Sequence, residues 1–262
     1  MIKNRIKKII KITKKDFFSN KKIKKIKNLV TDGNILILKS AFKDVTLRKI
    51  YKEIFLNSKK ISKDTKMEEG IKNIFYKSNS SGKGNYSTND YSWYFFPWNK
   101  DKFGLVKLVQ KYFDRVILFN GFNIKTIKNN TPKDGVVQRF HLMHYPYNSG
   151  HISAHKDPTN ITKVTCGIYI TSFKLDYDYG GFYVLNSKNE KVFVDHKIDS
   201  GDLILFYNGL IHGVEPTFLK KGSKKNKDKI NGRSFLNLSI LESHEKKNRK
   251  TTVGVNLTRL KK

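Results

Sequence analysis

Two side chains able to hold a metal stand two apart in His155-Lys156-Asp157. In an extended strand alternate residues share a face, so one imidazole nitrogen and one carboxylate oxygen would be delivered together. Such a pair is weak alone, because a lone histidine is more often a packed or surface residue than a ligand. His212 supplies a third donor within His212-Gly213-Val214-Glu215-Pro216. It follows Gly201-Asp202-Leu203-Ile204-Leu205-Phe206, which reads as a turn and then a buried strand that can bring His212 beside the first two. Two histidines and one carboxylate on one side of a metal leave three adjacent positions open, the arrangement of non-haem iron(II) centres. Zinc more often takes a closed tetrahedral or histidine-rich set.

A fourth residue fits the same chemistry. In Gly232-Arg233-Ser234-Phe235 an arginine enters an apolar strand. A buried guanidinium is costly unless paired, and its planar fork matches a carboxylate. Arg233 therefore suits the distal carboxylate of a dicarboxylic keto acid. The plainer reading is a surface arginine in a chain full of cations.

These residues need a scaffold. From residue 136 onward the hydrophobic pattern has period two, with short apolar runs at about 136–145, 150–155, 163–172, 181–186, 191–194, 202–207, 212–214 and 233–241. Asn148-Ser149-Gly150, Gly180-Gly181 and Ser200-Gly201 supply the turns. Eight short strands in this spacing predict a sandwich or barrel of jelly-roll type. Upstream, residues 34–39 read as a buried strand, and residues 44–57 and 103–118 as amphipathic helices. Residues 79–89, rich in Ser, Gly and Asn, and the lysine-rich 220–229 read as loops. The aromatic run Tyr91 to Trp98 reads first as core packing and second as a wall facing a substrate.

The stretch from Tyr145-Pro146 to Leu241 resembles the 2-oxoglutarate/Fe(II)-dependent dioxygenase superfamily. The resemblance is carried by Tyr145-Pro146, Gly150, His155-Lys156-Asp157-Pro158, Gly180-Gly181-Phe182, Gly201-Asp202 with Phe206, His212-Gly213-Val214-Glu215-Pro216 and Gly232-Arg233, in that order. It implies a mainly β chain with flanking helices around a double-stranded β-helix core, a jelly roll of the cupin-like kind. It implies Fe(II) on His155, Asp157 and His212, and 2-oxoglutarate and O2 as cosubstrates. Arg233, with the hydroxyl of Tyr145, would anchor the keto acid. On this reading residues 1–28 form a basic arm or helix and 29–262 an oxygenase domain. That domain divides into a support region 29–130, a core of about 131–245 and an extension 246–262. A carboxylate at 157 argues for hydroxylation or demethylation, since halogenating relatives lack it.

Composition bounds the partners. The chain has 262 residues and a formal net charge of +31. That charge suits a polyanion, but lysine greatly outnumbers arginine, and heavy use of Lys, Asn and Ile is also what an AT-rich coding sequence produces. Isoleucines at 2, 6, 9 and 10 fit one face of a basic helix that could touch an anionic surface. No run of about 18 apolar residues occurs, so no transmembrane helix is expected and a cytoplasmic protein is the default. The single cysteine, Cys166, excludes an internal disulfide and reads as a small strand residue.

The leading expectation is a hydroxylase of a small molecule, sugar or peptide side chain, with Arg139 and His141 as candidate substrate contacts. They alternate with Tyr145 on one strand. A nucleic-acid demethylase of the same superfamily is disfavoured, because Arg-Ser-Phe-Leu-Asn-Leu-Ser-Ile lacks that branch's second arginine. A jelly-roll binding module without catalysis is the alternative from another class.

Overall fold

The computed structural model describes residues 4–58, 62–63, 73–77, 87–88, 90–128, 135–220 and 230–243. In chain order the elements begin with β1 (Ile9–Ile12), α1 (Lys14–Phe18), α2 (Ile23–Thr31), β2 (Ile35–Leu38) and α3 (Asp44–Leu56). β3 (Ser62–Lys63), β4 (Ile74–Lys77), β5 (Ser87–Thr88), β6 (Tyr91–Phe95), α4 (Leu105–Phe119) and α5 (Ile124–Lys128) follow. The remainder is β7 (Val136–Pro146), β8 (His151–His155), β9 (Val164–Tyr169), β10 (Tyr179–Leu185), β11 (Lys191–Phe193), β12 (Leu203–Tyr207), β13 (His212–Phe218) and β14 (Gly232–Glu242).

Strand pairing defines the architecture. β10 pairs with β11, β9 with β12, β8 with β13 and β7 with β14, all antiparallel. These nested pairs form one long hairpin, and the hairpin is wrapped so that its strands fall alternately into two sheets. β10 also pairs with β13, and β9 with β14, which closes the wrap. The result is a double-stranded β-helix, a jelly roll as the strand spacing predicts and the form that the family resemblance implies. The larger sheet runs β1-β2-β12-β9-β14-β7-β6-β4-β3 and the smaller β11-β10-β13-β8-β5.

Period-two alternation assigns each side chain to a layer. On β12, Leu203 and Leu205 face the helices, whereas Ile204 and Phe206 point between the sheets. On β14, Leu236, Leu238 and Ile240 join the helical layer with Phe113, Val116 and Ile117 of α4, while Phe235 turns inward. Trp93 of β6 sits in the helical layer, fully buried. The aromatic run is thus split, with its odd positions in the core and Tyr94 on the opposite face.

Two expectations are corrected. The isoleucines read as a helical face fall partly in β1, which pairs in parallel with β2, Ile9 opposite Ile35 and Ile12 opposite Leu38. Burial against a partner strand overrides local helical spacing here. Phe17, Ile26 and Val30 are buried in the main core, so the residues after β1 are packed rather than solvated. Within 79–89, read as a loop, Ser87–Thr88 forms β5 at the edge of the smaller sheet. Residues 79–86 and 89, residues 221–229 and the extension 246–262 lie outside the described residues. No helix among the described residues is long and apolar enough to cross a membrane.

Candidate metal centre and cavity

His155 ends β8 and His212 opens β13, and the two are direct cross-strand partners. Asp157 lies just beyond β8, where its backbone N–H donates to the carbonyl of Asn208 at 3.0 Å. A register irregularity between His212 and Val214 sits at this point, the kind of local bulge that re-aims a side chain. The three side chains converge, with one ligand atom from each lying within 4.8 Å of the others.

Hydrogen bonding fixes which nitrogens face inward. His155 Nδ1 lies 2.8 Å from the carbonyl of Ser153, and His212 Nδ1 lies 2.9 Å from that of Leu210. A carbonyl only accepts, so both Nδ1 atoms carry the proton and both Nε2 atoms present lone pairs. Each Nε2 is 3.6 Å from an Asp157 carboxylate oxygen, beyond hydrogen-bond range. Both histidines are almost wholly buried. Burial first, and then the neighbouring His212, pushes the His155 imidazole down to about 4, against the pull of Asp157. Two imidazole lone pairs and a carboxylate aimed at one point form a donor set that fits a divalent metal. The orienting carbonyls on Nδ1 are the usual support of a metal-bound histidine.

A cavity of about 300 Å³ opens from this centre between the two sheets. Tyr145, Arg233, Phe182, Phe206 and Phe235 line one part of it, and Tyr94, Arg139, His141, Asn237 and Ser239 another. Arg233 and Tyr145 are register partners on β14 and β7. Both are buried, and burial raises the Tyr145 hydroxyl well above its ordinary range, so it stays protonated. Among the described residues that hydroxyl donates to the weakly accepting sulfur of Met143, at 3.3 Å.

Arg233 has a partner that the sequence did not reveal. Its Nε donates to Asp195 Oδ2 at 2.8 Å, and its Nη2 to the hydroxyl of Tyr169 at 3.2 Å. Asp195 also accepts from the hydroxyls of Tyr169 and Tyr177, each at 2.6 Å, and from the backbone N–H of Phe182 at 2.9 Å. Burial opposes the charge on Arg233, but Asp195 holds its proton far more tightly than an exposed arginine would. Among the described residues no hydrogen bond engages Nη1. Two glycines make this packing feasible. A side chain on Gly181 would meet Asp195 Oδ2 at 2.1 Å, and one on Gly232 would meet the Tyr145 carbonyl at 2.1 Å; both have positive φ. The Gly180-Gly181-Phe182 and Gly232-Arg233 motifs therefore serve the arginine socket. Asp195 itself, in Val194-Asp195-His196, carries no distinguishing signal in the sequence.

The seven candidate site residues read from the sequence line this one cavity: His155, Asp157, His212, Arg233, Tyr145, Arg139 and His141. His144, the neighbouring histidine, points the other way, buried against Tyr51, Phe55 and Tyr91 with Nδ1 2.9 Å from Ser234 Oγ.

No family model and no curated protein matches the chain. Solved structures similar in fold include a prolyl-4-hydroxylase from Pseudomonas putida, 13% identical, covering 83% of this chain and 96% of that one, with a TM-score of 0.48. A Trichoplax adhaerens prolyl hydroxylase in complex with a hypoxia-inducible-factor peptide is 13% identical over 85% and 94%, with a TM-score of 0.48. A full-length Neurospora crassa protein in complex with alpha-KG is 11% identical over 90% and 85%, with a TM-score of 0.48. The strand pairing alone identifies this chain as a double-stranded β-helix with two histidines and one carboxylate converging at its inner face.

Proposed function

We propose that this chain is an Fe(II)- and 2-oxoglutarate-dependent dioxygenase that hydroxylates a C–H bond of a small molecule, sugar or peptide side chain. The observation that carries the reading is the tautomer of the two histidines. With both Nδ1 protons committed to backbone carbonyls, His155 and His212 have lone pairs and nothing else to offer Asp157's side of the site. His155, Asp157 and His212 would hold the iron. When bound, ferrous iron and the keto acid supply dioxygen activation coupled to decarboxylation, giving succinate and carbon dioxide.

The chain's own residues have three tasks. Nη1 of Arg233 and the hydroxyl of Tyr145 are donors for the distal carboxylate of the keto acid. Asp195, Tyr169 and Tyr177 hold the guanidinium plane in place. Phe182 and Phe206, with ring centroids 5.7 and 5.4 Å from that of His212, keep water from the metal-facing side of the cavity. A purely structural Arg233 is the competing reading, favoured by its pairing with Asp195, and Arg233→Met with and without Asp195→Leu separates the two.

The test is succinate formation from 2-oxoglutarate in the presence of ferrous iron, dioxygen and a metabolite screen. The wild-type chain is expected to release succinate and His155→Ala to release none, while the circular dichroism of the two is the same. Equal release by both would remove the iron assignment.

A further inference from the structure

The part of the cavity away from Arg233 is polar in a way the fold does not require. β14 turns Arg233, Phe235, Asn237 and Ser239 to the same face, so the polar pair lies up to roughly 20 Å along the strand from the arginine. Across the ladder Asn237 stands opposite His141, and Ser239 opposite Arg139. His141 in turn stands opposite Tyr94 on β6. Five side chains from three adjacent strands thus share one patch of wall.

Two of them carry a buried polar atom without a hydrogen-bond partner among the described residues, Asn237 Oδ1 and Ser239 Oγ. Ser239 is 6% exposed. Leaving such atoms unsatisfied destabilises a protein, and a Leu or Ala at these positions would avoid that loss. His141 adds a third acceptor. Ser92 Oγ donates to Asp90 at 2.9 Å, so it accepts from His141, whose Nε2 is 3.0 Å away and must carry the proton. Nδ1 is then a lone pair, and no hydrogen bond among the described residues engages it. Burial, followed by Arg139, keeps this ring neutral. Its plane is held by stacking on Tyr94 at 4.2 Å between centroids, and Tyr94 also carries the Arg139 guanidinium 5.2 Å from its ring centroid.

We propose that Tyr94, Arg139, His141, Asn237 and Ser239 form a substrate subsite for a small carboxylic acid that bears a hydroxyl or amine next to its carboxylate. Arg139 is the cationic donor for the carboxylate. Asn237 Oδ1 and His141 Nδ1, on residues that are register partners across the ladder, are acceptors for the neighbouring O–H or N–H group. A phosphate ester fits less well, because Arg139 is the one Lys or Arg among the described residues of this patch. This assignment rests on the proposed function only in giving the Arg233 end to the cosubstrate.

The test is equilibrium binding to the full, metal-free chain, by calorimetry, of small acids in matched pairs with and without a 2-hydroxyl or 2-amino group. A donor-bearing acid is expected to bind at least about tenfold more tightly than its matched partner, since the latter leaves the acceptors unpaired. Asn237→Leu is expected to abolish that preference, and Ser239→Ala to weaken binding without lowering Tm. The hydroxy and amino arms identify which donor the site takes. If Asn237→Leu fails to fold, the side-chain amide signal of Asn237 in the wild-type NMR spectrum must move when the acid is added. No preference within any pair, a preference that survives Asn237→Leu, or an unmoved Asn237 signal would overturn the proposal. Failure of iron to bind would sink the proposed function and leave this result intact.

Discussion

At the scale of single residues, the proposed anchoring of a carboxylate turns on Arg233 and its partner Asp195. Both are buried and each is the other's counter-charge. Removing one side of such a pair leaves an uncompensated charge and costs about 3–5 kcal/mol, whereas replacing both with apolar residues is often close to neutral. Arg233→Met is therefore expected to lower the stability in urea by several kcal/mol, and the double variant Arg233→Met with Asp195→Leu to regain most of it. Stability recovered without recovery of 2-oxoglutarate binding would assign Arg233 the anchoring role. Recovery of both would make the arginine structural and pass the anchor to another residue. Arg233 was legible in the sequence because a cation inside an apolar strand needs an explanation. Asp195 was not, because an acidic residue after a short strand is indistinguishable from any surface aspartate until the fold brings it under Gly181.

At the scale of elements, β7 carries two histidines on opposite faces, His144 buried and His141 half-buried, and their desolvation has a pH signature. Burial drives His144 down to about 3, and burial followed by Arg139 drives His141 well below its ordinary value. In the unfolded chain both would titrate near 6.5. Below that pH the unfolded state takes up protons that the folded state refuses. Stability is therefore full above about pH 6.5 and falls as the pH drops toward 3, by up to about 1.4 kcal/mol per pH unit for each histidine. Urea midpoints measured from pH 7.5 to 5 are expected to fall on this slope, and His144→Phe to reduce it. A midpoint independent of pH would contradict the neutral state of both rings. The N-terminal elements make a second prediction. β1 extends the larger sheet, and Phe17, Ile26 and Val30 enter the main core. Loss of a buried phenylalanine alone costs about 3–5 kcal/mol. Deleting residues 1–31 is expected to give a chain without a cooperative urea transition. A truncated chain that unfolds like the whole would show these elements to be dispensable. Sequence periodicity misread this region because Ile9 and Ile10 satisfy a helical spacing and a strand equally well. Only β2, a distant run of four apolar residues, decides between them.

At the scale of the molecule, the jelly roll itself was legible. Its eight strands alternate in hydrophobicity and are separated by recognisable turns, and the nested pairing follows once the chain wraps. What the sequence could not show is the cavity's division. Asn237 and Ser239 read as ordinary alternations in a strand, and only the pairing of β14 with β7 and β6 sets them against His141 and Tyr94. The large positive charge leaves no mark on the cavity, where Arg139 and Arg233 are the only Lys or Arg among the described lining residues. The chemistry proposed for that cavity depends on the convergence of residues 155, 157 and 212. Its most direct test is an anaerobic titration of the chain with ferrous iron and 2-oxoglutarate, followed by calorimetry and visible absorption. One iron per chain, one keto acid per iron and a weak charge-transfer band, all lost in Asp157→Ala, are the predicted result. Iron that fails to bind the folded wild-type chain, or binds Asp157→Ala equally well, would contradict it.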